Sequence, residues 1–184
     1  MLKRTALLAA AAFSALALTA IVMAPVRAEE KTVMVGGAAM FPSRNIIQNA
    51  VNSKDHTTLV AAVKAAGLVG TLEGKGPFTV FAPTNMAFGK LPAGTVDTLV
   101  KPENKATLTK ILTYHVVPGK YEASSLADGK KLKTVEGEEL TVKKQDGKVW
   151  IGDAKGNWST VTISNVNQSN GVIHVVDTVL MPAS

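Results

Sequence analysis

The chain of 184 residues contains no cysteine. It cannot be cross-linked by disulfide bonds, and it cannot be anchored as a bacterial lipoprotein, because that anchor needs an acylated cysteine at the cleavage site. Stability must therefore come from packing of a hydrophobic core, and a hydrophobic content of 46% is sufficient to form one.

The sequence also lacks the common catalytic motifs. It has no G-x-S-x-G, no H-E-x-x-H, no G-x-x-x-x-G-K-[ST] and no dinucleotide-binding glycine fingerprint. The histidines His56, His115 and His174 are about 60 residues apart and fall on a loop, a helix and a strand, without clustered carboxylates. We therefore expect a protein that is not an enzyme and that holds neither a metal nor a cofactor.

Positive charge is spread along the chain and forms neither a basic helix nor an arginine cluster. Half of the formal net charge of +6 comes from Lys3, Arg4 and Arg27, so that +3 remains once residues 1–28 are set aside. Such a mildly basic, mixed surface gives no electrostatic basis for binding nucleic acid.

Residues 1–28 have the pattern of a signal peptide. Lys3 and Arg4 precede an uncharged run over residues 6–24, and Val26-Arg27-Ala28 places small residues at alternate positions. We expect cleavage after Ala28; the alternative is a retained membrane anchor, since about 20 apolar residues can span a bilayer. Because the run is rich in alanine and ends in a cleavage pattern, we expect a bacterial protein exported to the periplasm or the medium, without a membrane span after cleavage.

About 156 residues remain, which fits one domain. Residues 29–41 show no useful period and are interpreted as an N-terminal arm, and residues 42–184 as a single domain. Helices are predicted after Ser43, which can act as N-cap, after Thr57 or Thr58, and from Glu103 to about His115. The last of these helices turns His115 inward together with its leucines.

Two remote segments are predicted as interior strands. Apolar residues occupy both faces of the segment from Phe78 to Ala82 and of the segment from Gly171 to Leu180. Thr84 or Asn85 can cap a short helix directly after the first strand.

A β-hairpin is predicted around Asp146-Gly147, a strong turn signal. Val149 and Ile151 then face inward and Trp150 outward, while Trp158 follows a Gly-Asn turn. The two tryptophans either anchor a partner or cover neighbouring parts of the domain, and the sequence leaves both interpretations open.

Three segments, Pro77–Phe88 (PFTVFAPTNMAF), Tyr114–Gly119 (YHVVPG) and Asn170–Pro182 (NGVIHVVDTVLMP), resemble the fasciclin-like domain, of the bacterial secreted single-domain type. The resemblance covers roughly residues 41–182. It implies an α+β fold in which two small sheets form a wedge, with a bundle of short helices on one side. It also implies a structural role for the residues of the matching motifs: Phe78, Val80, Phe81, Thr84, Asn85, Phe88, Asn170, Gly171, Val172, Ile173, His174 and Asp177.

Fasciclin-like domains are mainly adhesion and binding modules, and the resemblance therefore implies a function of that kind. Tyr114-His115 matches a position implicated in adhesion in animal relatives. We favour a structural role, in which His115 is a hydrogen-bonded core residue, and direct contact with a partner is the alternative. Several animal relatives carry an Asp-Ile pair associated with integrin recognition before the last strand. Here Asn165 stands where an acidic residue is common, so we do not expect integrin-type binding.

Our leading hypothesis is an exported, monomeric adhesion module that binds a protein or polysaccharide at a cell surface or in the envelope. Candidate partner-binding residues are Tyr114, His115, Trp150 and Trp158. The alternative hypothesis is a soluble carrier of a small apolar or glycan ligand, held in a cleft between sheet and helices.

Overall fold

The computed structural model describes residues 30–183. The predicted signal peptide lies outside this range. Within it the chain forms short helices and strands, in accordance with the α+β class. The helices are α1 (Ile46–Ala50), α2 (Thr57–Ala66), α3 (Val69–Leu72), α4 (Asn85–Gly89), α5 (Thr95–Leu99) and α6 (Lys105–Tyr114). The strands are β1 (Val33–Val35), β2 (Ala38–Met40), β3 (Phe78–Pro83), β4 (Val116–Pro118), β5 (Lys131–Lys133), β6 (Glu139–Gln145), β7 (Lys148–Gly152), β8 (Trp158–Gln168) and β9 (Gly171–Val176).

The long strand β8 joins the two halves of the wedge. The strand order is β4-β3-β9-β8-β7-β6-β5, so β8 pairs with β9 on one side and with β7 on the other. Its register shifts between Val161 and Ile163 and again between Ile163 and Val166, which bends the strand where the halves diverge. The sheet curls far enough for the Val135 N–H to donate a hydrogen bond to the Val116 carbonyl at the opposite edge (2.8 Å).

The two predicted interior strands, β3 and β9, are paired in parallel inside this sheet, between β4 and β8. Adjacent side chains of β3 enter different cores: Val80 packs with the helices, and Phe81 packs inside the curled sheet. Likewise, Ile173 of β9 contacts the helix side and Val176 the sheet side. A strand flanked by two cores needs apolar residues on both faces, which explains the sequence pattern.

Residues 29–41, interpreted from the sequence as an arm, carry a hairpin. β1 and β2 pair in antiparallel fashion, and Val35 and Met40 are buried in the helix-side core. The turn Gly36-Gly37 has positive φ at both residues, which glycine adopts at low cost. The sequence did not predict this hairpin, because strands of three residues are too short to show a period.

Two of three helix starts differ from the sequence expectation, and the start of α4 agrees with it. Asn45 caps α1 in place of Ser43, with the Gln48 N–H donating to Asn45 Oδ1 (2.8 Å). Thr84 caps α4 through its hydroxyl, while the neighbouring Asn85 serves another helix. Asn85 Oδ1 accepts a hydrogen bond from the Thr58 N–H at the start of α2 (3.0 Å). Neither Thr57 nor Thr58 caps α2 with its own side chain.

Most of the residues that the resemblance marks as structural are buried, but Phe78, Thr84, Asn85 and Asp177 are partly exposed. Asp177 follows the end of β9, which stops at Val176 rather than at Leu180. Its carboxylate accepts hydrogen bonds from the Thr160 N–H (2.8 Å) and the Thr178 hydroxyl (3.0 Å). Partial burial acts to raise the pKa of Asp177, but these hydrogen bonds and the nearby Lys90 lower it overall. The side chain thus ties the chain leaving β9 to β8.

Candidate partner-binding surface

Tyr114 lies wholly inside the protein, at 0% exposure. Its hydroxyl accepts a hydrogen bond from the Ala154 N–H (2.9 Å) and donates one to the Glu139 carbonyl (3.3 Å). Burial raises the pKa of this phenol to about 12, so it stays protonated and able to donate. Tyr114 therefore links α6 to β6 and to the loop after β7, and offers no surface to a partner.

His115 is also buried, at 2% exposure. Its Nε2 accepts a hydrogen bond from the Leu180 N–H (2.9 Å), so Nδ1 carries the proton and donates it to the Ile111 carbonyl (2.8 Å). Both ring nitrogens are satisfied by backbone groups of the neutral imidazole. Burial lowers the pKa of His115 to about 4.

We expect Tyr114→Phe to lower the free energy of unfolding by about 1–2 kcal/mol, because it removes two hydrogen bonds of a partly buried site, one with the Ala154 N–H and one with the Glu139 carbonyl. Urea denaturation measures the loss. Tyr121→Phe is the matched control, since the Tyr121 hydroxyl has no hydrogen-bond partner among residues 30–183. A Tyr114→Phe protein of unchanged stability that no longer bound its partner would instead identify the hydroxyl as a contact group.

The two tryptophans share the water-facing side of β5 to β8. Thr141, Gly152 and Trp158 lie directly opposite one another on adjacent strands, and so do Lys143, Trp150 and Thr160. Residues paired in this way project to the same side of a sheet, here the side away from the buried Leu140, Val142, Val149 and Ile151. We call this side the outer face; its residues are Lys131, Lys133, Glu139, Thr141, Lys143, Gln145, Lys148, Trp150, Gly152, Trp158 and Thr160.

Trp158 is the most exposed aromatic group of this face, with 46% of its surface accessible. Its six-membered ring covers Gly152, where an added Cβ would come within 2.9 Å of two ring atoms. Lys143 Nζ lies 6.0 Å from the centre of the Trp158 ring, at the limit of a cation–π contact. Trp150 is half-buried. Gly152 and Lys143 were not predicted as parts of this surface. The position of Lys143 opposite Trp150 follows from the two-residue Asp146-Gly147 turn.

Asn165, at the position where animal relatives often carry an acidic residue, sits in the irregular part of β8 with φ of +57°. Its Oδ1 accepts a hydrogen bond from the Ala123 N–H (2.7 Å) and so holds the loop after β4. Together with Ser164, Asn167, Lys31 and other residues, Asn165 lines an open polar cleft of about 580 Å³ beside the N-terminal hairpin.

A separate apolar cavity lies between the helices and the sheet, where the carrier hypothesis places a ligand. It has a volume of about 50 Å³ and is lined almost entirely by aliphatic side chains, with Ser53, His56 and His115 as polar neighbours. Small-molecule sites usually measure about 300–1,000 Å³. This cavity is therefore too small to hold the apolar ligand of the carrier hypothesis.

The other two histidines, His56 and His174, contact different partners. His56 Nδ1 contacts the Ser53 hydroxyl (2.8 Å), and His174 donates from Nε2 to the Tyr121 carbonyl (2.7 Å). Within residues 30–183 no group of three or more His, Asp and Glu side chains is arranged to hold a metal ion. None of the helices in this range is both long and apolar enough to cross a membrane.

Comparison with known proteins places these features in a family. The sequence profile of the Fasciclin domain matches residues 54–182. The chain is 50% identical to Protein sll1483 of Synechocystis sp. over 168 residues, which cover 91% of this chain and 90% of that protein. It is 39% identical to the cell surface glycolipoprotein MPB83 of Mycobacterium bovis, over 80% of this chain and 64% of that protein.

The fold is also similar to a solved structure. The FAS1 domain pair of the insect cell adhesion molecule fasciclin I superposes with a TM-score of 0.68 at 19% identity, covering 77% of this chain and 52% of that one. The predicted wedge of two small sheets with short helices on one side is thereby confirmed. The chain belongs to the fasciclin family.

Proposed function

We propose that this protein is an exported, non-enzymatic adhesion module that attaches to a partner at a cell surface or in the envelope through its outer face. The observation that carries the proposal is Trp158, a large aromatic side chain that remains 46% exposed on a sheet face whose other residues, apart from Trp150 and Gly152, are polar or charged. Aromatic residues in such positions supply much of the binding energy at interfaces.

The relatives support the same class of function. One is described as a cell surface glycolipoprotein, and the solved structure of similar fold comes from a cell adhesion molecule. Tyr114 and His115 act in this proposal from inside the domain. They hold α6 against β6 and the C-terminal segment, so that a substitution there alters adhesion only by loosening the fold.

A second candidate function is carriage of a small glycan in the polar cleft. Its volume of about 580 Å³ falls in the range of small-molecule sites, and the buried Oδ1 of Asn167 has no hydrogen-bond partner among the described residues. Native mass spectrometry of the exported protein separates the two functions, because a carrier retains a bound small molecule.

We expect Trp158→Ala to weaken binding to envelope preparations of the source organism by about 30-fold, the effect of losing a contact worth about 2 kcal/mol. The measurement uses the purified protein without residues 1–28 in a sedimentation or surface-resonance assay. Thermal unfolding of the variant shows whether the fold is kept.

Met86→Ala is the matched control for removal of an exposed apolar side chain. Met86 is 81% exposed on α4, away from the outer face. Its loss should change binding less than twofold. Equal binding by the wild-type and Trp158→Ala proteins would remove the outer face from the proposal.

A further inference from the structure

Lysine dominates the charge of the outer face. Lys131, Lys133, Lys143 and Lys148 lie on it, against the single carboxylate of Glu139. Glu139 pairs with Lys131 at 3.5 Å. Within residues 30–183 no carboxylate lies at ion-pair distance from the other three lysines. Asp146 adds one negative charge in the turn at the end of the hairpin, beside Lys148.

This excess is local. Residues 29–184 carry a formal charge of +3, and the residues of the outer face, with four lysines and one glutamate, carry a surplus of the same size. Cations and anions on the rest of the domain therefore nearly balance. A surface that collects the net charge of a protein on one side attracts a partner of opposite sign to that side.

Aromatic and cationic groups are neighbours on the face. Lys143 is directly opposite Trp150, and Trp158 lies on the next strand, with its ring near Lys143 Nζ. Neighbouring strands are about 4.8 Å apart, so a ligand crossing them meets an indole ring and an ammonium group within one or two strand spacings. Thr141 and Thr160 supply hydroxyl groups in the same rows.

We propose that the outer face binds an acidic polysaccharide, a polymer whose sugar rings carry carboxylates. This inference rests on the proposed function and names the class of its partner. The C–H side of a sugar ring packs on the indole of Trp158, and the carboxylates of adjoining sugars contact Lys143 and Lys148.

Two other anionic partners fit the face less well. A membrane surface calls for apolar groups that project into lipid, whereas the Trp158 ring lies over Gly152 on the sheet itself. A stable protein interface buries about 800 Å² on each partner around an apolar centre, and this face offers two tryptophans among lysine, threonine and glutamine. A chain of charged sugars needs neither feature.

The test measures binding of polygalacturonate to the protein without residues 1–28 by isothermal titration, with dextran as the uncharged polymer. Lys143→Gln/Lys148→Gln should weaken binding at least tenfold. Lys64→Gln/Lys75→Gln removes the same charge from exposed positions outside the outer face and should change affinity less than twofold. Trp158→Ala should also weaken binding at least tenfold, and added salt should weaken wild-type binding.

Each other outcome overturns the inference. Equal losses in the two double-lysine variants would mean general attraction of a polyanion. Preference for anionic phospholipid vesicles or for an acidic protein over polygalacturonate would identify a different partner. Absence of polygalacturonate binding, with Trp158-dependent attachment to the envelope intact, would refute the acidic polysaccharide and leave the proposed function standing. Envelope attachment independent of Trp158 would refute both.

Discussion

The free energy of unfolding is expected to fall by about 3 kcal/mol or more as the pH is lowered from 7 to 4. The main cause is His115, whose pKa is lowered from 6.5 to about 4 because the ring is buried. Its Nε2 must stay unprotonated to accept the Leu180 N–H. Protonation therefore breaks a backbone contact and places a charge inside the core.

The direction follows from the protons that each state binds. Between pH 6.5 and 4 the unfolded chain takes up a proton on His115 and the folded protein does not, so that acid favours unfolding; above pH 6.5 the contribution of His115 is constant. His56 and His174 act in the same direction, since burial lowers the pKa of both. The Ala82 carbonyl near His56 and the Tyr121 carbonyl near His174 oppose this effect only in part.

Urea denaturation at several pH values measures the stability, and nuclear magnetic resonance of the histidine ring nitrogens follows each titration. We expect the His115 ring to remain neutral, with its proton on Nδ1, down to about pH 4.5. His115→Gln should flatten the pH dependence and leave the smaller part that belongs to His56 and His174. A stability that stays constant from pH 7 to 4 would contradict the assignment.

The sequence predicted those parts of the fold in which local pattern and burial agree. The strands β3 and β9 are apolar on both faces because each separates two cores, and this produces the uninterrupted apolar runs at Phe78 and Gly171. The hairpin of β6 and β7 follows from Asp146-Gly147, both of which have positive φ. The same turn sets the register that puts Lys143 opposite Trp150.

The remaining features depend on contacts between residues far apart in sequence. Asn85 caps a helix that begins 28 residues earlier, so the distance alone hides the relationship. The position of Trp158 over Gly152 depends on the connection between β7 and β8, where the Asp153 carboxylate accepts hydrogen bonds from the Lys155 and Asn157 N–H groups. The alternation of apolar and polar residues along the chain does not determine the length of that turn.

Asn170 is the clearest case of a residue whose role the sequence could not reveal. The resemblance marked it as structural, and the structure gives the reason. Its Oδ1 accepts a hydrogen bond from the Ile46 N–H at the start of α1 (3.1 Å), and its Nδ2 donates to the carbonyls of Leu72 (2.7 Å) and Gly74 (2.8 Å). One buried side chain thus connects the turn before β9 to two segments that lie about 100 residues or more earlier.

Asn170→Asp is therefore expected to lower the free energy of unfolding by about 4 kcal/mol at pH 7, and Asn170→Ala by about 3 kcal/mol. The alanine leaves three backbone groups unpaired. The aspartate keeps the acceptor for Ile46 but turns a carboxylate oxygen toward two carbonyls, which repel it. Urea denaturation measures both, with Asn52→Asp as the control, because Asn52 is exposed and, among residues 30–183, its side chain donates only to the Gln48 carbonyl.

The pH dependence of the stability of the Asn170→Asp protein shows whether the loss comes from repulsion between the carboxylate and the two carbonyls or from altered packing. The carbonyls of Leu72 and Gly74 and the burial of the site raise the pKa of a carboxyl placed there above its value in the unfolded chain. As the pH falls from 7 toward 5, the carboxyl is therefore protonated in the folded variant before it is protonated in the unfolded chain. The difference in the free energy of unfolding between the variant and the wild type then becomes smaller. A protonated carboxyl donates to one of the two carbonyls and restores part of the lost contact. If the deficit stayed the same at both pH values, the cost would come from packing, and the hydrogen bonds of Asn170 would not be what joins these segments.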